Sequence, residues 1–94
     1  MPEISIEPIE TADGWRFDVR VADGGGESRH EVTLSRTDRD RIARGADPEQ
    51  LVRESFAFLL AREPKESILG SFDLTVIARY FPEYERAMAE SFGS

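Results

Sequence analysis

The sequence predicts an α+β domain: a three-stranded antiparallel sheet followed by three to four helices that cover one of its faces. Apolar and polar residues alternate through the first third of the chain, helical periodicity governs the rest, and glycine-bearing turns separate the strands. A chain of 94 residues holds one core. Residues 1–94 therefore read as a single domain, with strands within 2–36 and helices within 37–92.

Three segments carry the strand signal. Ile4 and Ile6 alternate with Glu3, Ser5 and Glu7; Trp15, Phe17, Val19 and Val21 alternate with Arg16, Asp18 and Arg20. His30, Val32 and Leu34 alternate with Arg29, Glu31, Thr33 and Ser35. Successive side chains of a strand point to opposite faces, so each segment has one apolar face. Asp13-Gly14 suits the first hairpin turn and Asp23-Gly24-Gly25-Gly26 the second. Three strands with one apolar face need another layer over it, and the helices supply that layer.

Thr37, with Asp40 three residues on, predicts the cap of a short helix that ends at Gly45. Asp47-Pro48-Glu49-Gln50 is a stronger start: a capping carboxylate, proline in the first turn and Gln behind it. This second helix should run to about Glu63, where Pro64 makes continuation unfavourable. Leu51, Val52, Phe56, Phe58, Leu59 and Leu60 spread over an arc of about 200° around it, twice the ~100° stripe of an ordinary surface helix. It needs cover on two sides, the sheet on one and the C-terminal segment or a second copy of the chain on the other.

The last segment starts near Ser71 or Asp73, either of which can cap. Leu74, Val76, Ile77, Tyr80, Phe81, Tyr84, Met88 and Phe92 gather on one side, opposite Arg79, Glu83, Glu85, Arg86 and Glu90. This phase survives Pro82, which predicts one helix kinked there or two short coaxial helices with the proline in a first position.

Composition removes several chemistries. With no cysteine, disulfides, thiolate zinc sites and cysteine nucleophiles are excluded. No N-terminal apolar stretch resembles a signal peptide, and no run approaches the ~18 residues of a membrane span, so a cytoplasmic protein with no membrane partner is expected. The net charge of −7 opposes nucleic acid at long range. Only Arg36–Arg44 is basic, with four arginines against two aspartates.

His30, the sole histidine, shares a strand face with Val32 and Leu34 and reads as a partly buried structural residue rather than a general base. Gly24-Gly25-Gly26 lies between two strands, where a hairpin explains it better than a phosphate loop, which leads into a helix. Asp38 with Asp40, and Glu83 with Glu85, stand two apart on helices and diverge, so no metal site is expected. No catalytic set emerges, no cofactor is implied, and an enzyme is not expected.

Arg53-Glu54-Ser55-Phe56, Arg62-Glu63-Pro64-Lys65-Glu66-Ser67-Ile68-Leu69, Phe72-Asp73-Leu74, Val76-Ile77 and Arg79-Tyr80-Phe81-Pro82-Glu83-Tyr84 form a series of blocks. The series resembles a family of short uncharacterised bacterial proteins of about this length. The resemblance extends more weakly back through the hairpin and its glycine turn. It implies a shared fold unit and carries no activity.

Two functions remain. The first is a non-enzymatic protein-interaction module that binds another protein or itself, as a homodimer, through Phe56, Phe58, Leu60, Tyr80, Tyr84 and Met88. The over-wide apolar arc argues for it. The alternative is a ribbon–helix–helix DNA-binding regulator or antitoxin. His30–Ser35, a short helix, Gly45 and the helix from Asp47 follow that layout. Thr33 and Ser35 would then face the major groove, with Arg36 and Arg39 on phosphates. The acidic Glu31 at an outward position, the short first helix and the intrachain hairpin partner of this strand depart from it.

Overall fold

A computed structural model describes residues 2–92. In chain order it has β1 (Glu3–Glu10), β2 (Gly14–Asp23), β3 (Gly26–Ser35), α1 (Arg36–Ala43), α2 (Pro48–Leu60), β4 (Ser71–Asp73), α3 (Ile77–Tyr80) and α4 (Tyr84–Ser91). Single 3-10 turns stand at Lys65–Ser67 and Leu74–Val76.

The first three strands form the expected antiparallel meander. Ile6 pairs with Val19 and Val19 with His30, while Phe17 pairs with Val32 and Trp15 with Leu34. Phe17, Val19, Val21, Val32 and Leu34 are all buried on one face. Glu7, Asp18 and Glu31 stand in register on the exposed face. Between β2 and β3 the turn closes with Gly26 at φ 126°, and α1 is followed by Gly45 at φ 81°. A side chain is strained in that region, which is why both turns take glycine.

The sheet departs from the expected three antiparallel strands. It has four, in the order β1-β2-β3-β4, and β4 runs parallel to β3. Ser71–Asp73, read above as the start of a helix, is this fourth strand, and it lies outside the 2–36 assigned to strands. The Gly70 carbonyl accepts a hydrogen bond from the Glu31 N–H at 2.8 Å. That bond docks the segment on the open edge of β3, where Phe72 is buried opposite Val32. Three residues are too few for a period to show. Asp73 does cap the turn that follows, accepting from the Thr75 N–H at 3.1 Å.

Two boundaries move as well. Ser35, not Thr37, caps α1, its Oγ accepting from the Asp38 N–H at 3.1 Å, because β3 passes into the helix without a loop. Asp47 caps α2 as expected, accepting from the Gln50 N–H at 3.0 Å. That helix closes at Leu60, and the Arg62 and Glu63 N–H groups fold back onto the Leu59 carbonyl ahead of Pro64.

The C-terminal segment is broken at Pro82 rather than kinked. Phe81, at φ −132° and ψ 90°, has left the helical region, which a proline ring disfavours for the residue before it. Pro82 and Glu83 make a turn in which the Tyr84 N–H bonds the Phe81 carbonyl at 2.9 Å, so Pro82 is not a first helical residue. The break lets α4 swing onto α2.

Both sides of α2 are thereby covered, by the sheet and by α4. Leu51, Val52, Ser55 and Phe56 are fully buried on it. The Ser55 hydroxyl donates to the Leu51 carbonyl at 2.7 Å, which commits its one proton, so the Tyr84 hydroxyl donates to Ser55 Oγ at 2.6 Å. Burial pushes the Tyr84 hydroxyl well above the ordinary tyrosine range. At the other end of the sheet Lys65 Nζ, itself buried, donates to Asp23 at 2.9 Å and Glu66 at 2.6 Å. These bonds hold both carboxyl groups below their usual values and tie the glycine hairpin to the loop after α2.

Candidate interaction groove

The residues named from the sequence separate sharply. Phe56, Phe58, Tyr84 and Met88 lie in the core and Leu60 is half-buried. The chain's own layers consume the wide apolar arc of α2, so these side chains do not face a partner. Tyr80 alone of the six stands free, 67% exposed. Phe58 illustrates the covering: it meets Phe81 and Tyr84 edge to face, and the Arg62 guanidinium lies 3.6 Å from its ring centre.

The four residues of the DNA-binding layout are engaged within the chain. Thr33 Oγ1 donates to Asp73 at 2.8 Å, and Ser35 caps α1. Arg36 reaches Glu10 at 2.6 Å, and Arg39 bonds the Ala46 carbonyl at 2.7 Å. Both guanidinium groups stack over Trp15. β3 has intrachain partners on both edges, β2 and β4, which leaves its central residues closed to an interchain ribbon.

His30 is buried, as its face implied. A carbonyl only accepts, so Nδ1–H donates to the Leu69 carbonyl at 2.7 Å, and Nε2 accepts from the Ser28 hydroxyl at 2.8 Å. The ring packs on Phe56 with centres 5.3 Å apart. Its role is positional: it fixes the backbone of the loop that ends in Leu69.

That loop borders the most distinctive concavity, an apolar groove of about 350 Å³ between the end of α2, β4 and α3. Leu59, Ile68, Phe72 and Ile77 give it buried walls. Leu69 (48% exposed) and Tyr80 (67% exposed), the large apolar side chains left open among the described residues, border it. A larger depression of about 610 Å³ lies on the exposed sheet face among Asp18, Arg20, Arg29 and Glu31. Its lining is charged, and Arg20 and Arg29 both reach Glu27, at 3.3 and 3.5 Å. Charged side chains are at ease in water; apolar walls gain by losing it, so the smaller groove is the better site for a ligand.

Sequence reasoning missed Leu69, Ile68 and Glu63, though the signal was present. Ile68 and Leu69 are adjacent and precede Gly70 in a stretch with no helical period. Two neighbours in extended backbone cannot both enter one core. Among the described residues no group of His, Cys, Asp or Glu side chains is placed to hold a metal, and no helix is long and apolar enough to cross a membrane. No protein-family model matches the chain, and no curated protein or solved structure matches it.

Proposed function

We propose that this protein is a non-enzymatic interaction module that binds another protein, or a second copy of itself, through the groove between Leu69 and Tyr80. One observation carries the reading. Leu69 and Tyr80, the large apolar side chains left exposed among the described residues, flank one apolar groove. Isolated exposed apolar residues are ordinary, but two that frame a concavity are what a binding site needs. The loop carrying Leu69 is held by the His30 hydrogen bond, so the groove is formed before a partner arrives.

The test is retention of a partner from native lysate by wild type and by a Leu69→Ser, Tyr80→Ser variant, with light scattering on both purified proteins. A stoichiometric partner, or a dimer, present in wild type and lost in the variant supports the proposal. Identical retention and identical mass in both would refute it.

A further inference from the structure

We infer that the groove takes an extended peptide segment, which adds as a fifth strand beside β4 and carries an apolar residue and a Lys or Arg on the same face. The inference rests on the interaction reading above and specifies its partner.

The two edges of the sheet differ. On β1 the Ile4 carbonyl points away from β2 and is taken by Arg53 Nη1 at 2.7 Å. Pro8, four residues on, lies on that same outward side by the period of two and has no N–H to offer. That edge is closed to a further strand in the way edges commonly are. On β4 the Gly70 carbonyl bonds Glu31, so Gly70 and Phe72 turn their backbone toward β3. Ser71, between them, turns its N–H and C=O outward on an exposed residue. The open edge therefore lies beside the groove, to which Phe72 contributes a wall. Strand addition supplies main-chain bonds from such an edge and selects side chains through an adjoining pocket.

Charge fixes the rest of the ligand's chemistry. Glu63 lines the groove, is half-buried, and makes no ion pair or side-chain hydrogen bond among the described residues. The neighbouring Arg62 is committed to the Phe58 ring and carbonyl and to Glu83. A carboxylate partly removed from water beside apolar walls is relieved by a cation. In a strand, residues two apart share a face, so one apolar side chain enters the groove while a basic one two positions away meets Glu63.

The experiment selects a displayed library of random decapeptides on the full chain, then measures an enriched synthetic peptide on variants. Sequences with apolar and basic residues at alternate positions should be enriched. Glu63→Gln should weaken the peptide by about two- to fivefold, the range for a partly exposed ion pair. N-methylation should abolish binding at the amide that pairs with the outward Ser71 carbonyl and be tolerated at the amides on either side of it. Tyr80→Glu should abolish it, with Leu69→Ser as a second variant and circular dichroism confirming that each is folded. Enrichment of apolar residues at helical spacing, of acidic sequences, or of peptides indifferent to Glu63→Gln overturns this inference. If such peptides are still lost in Tyr80→Glu, the groove remains the binding site. If nothing enriched depends on Tyr80 or Leu69, both readings fall.

Discussion

The end of α3 and the start of α4 present the same side chain in opposite environments. Tyr80 is 67% exposed beside the groove, and Tyr84 is fully buried against Ser55. In one unbroken helix, residues four apart lie on one face, and the two rings would share a fate. Phe81, Pro82 and Glu83 intervene as a non-helical residue and a turn, and they separate a residue that builds the core from one left exposed. Local backbone chemistry, not side-chain hydrophobicity, made that division.

The largest expected effect is at Tyr84. Replacing it with alanine leaves a cavity where α4 meets α2 and should cost about 3–5 kcal/mol, a large share of a small domain's stability. Urea unfolding measures it, and a loss below about 1 kcal/mol would mean that α4 is not part of the cooperative core. Ser55→Ala comes next, at about 1–2 kcal/mol, since it leaves the buried Tyr84 hydroxyl without a partner. Adding Tyr84→Phe to Ser55→Ala should recover part of that loss, because no unpaired hydroxyl remains; a further fall would contradict the assigned hydrogen bond.

Alkaline pH probes the same site. Burial raises the Tyr84 hydroxyl above its ordinary value, so the folded state keeps a proton that the unfolded state releases. The stabilisation is complete below the unfolded value of roughly 10 and falls above it by up to about 1.4 kcal/mol per pH unit. Tyr84→Phe should flatten this slope; an unchanged slope would assign it to other groups.

Two smaller effects test the break itself. Pro82→Ala should leave helix content unchanged and cost only about 0.5–1 kcal/mol, chiefly by freeing the unfolded chain. A gain in circular-dichroism helicity would show that the proline alone prevents a continuous helix. Tyr80→Ser should change stability by less than about 0.5 kcal/mol while removing partner binding. A larger loss of stability would place Tyr80 in the core's cooperative unit and remove it from the groove.

Much of the frame was legible in residue order. The alternation through Ile4, Phe17 and Val32 placed three strands, and Asp47-Pro48 opened α2 at its true cap. The arc of α2 correctly required cover on two sides. It was misread as surface for a partner because periodicity reports which face avoids water, not what covers it. The binding groove was partly hidden for the same reason: exposure of Leu69 and burial of Ile68 differ only once the loop is pinned by His30.

By itself the sequence determined the elements whose signals are local: strand faces, the cap at Asp47, the glycine turns and the interruption at Pro82. Tertiary structure alone decided that Ser71–Asp73 joins the sheet, that Tyr84 and Tyr80 part company, and that one sheet edge is closed while the other stays open. The physical reason is common to all three. Each depends on hydrogen bonds or packing between residues far apart in the chain, such as Glu31 with Gly70, Ser55 with Tyr84 and Ile4 with Arg53. Such pairings exist only after the chain has closed on itself.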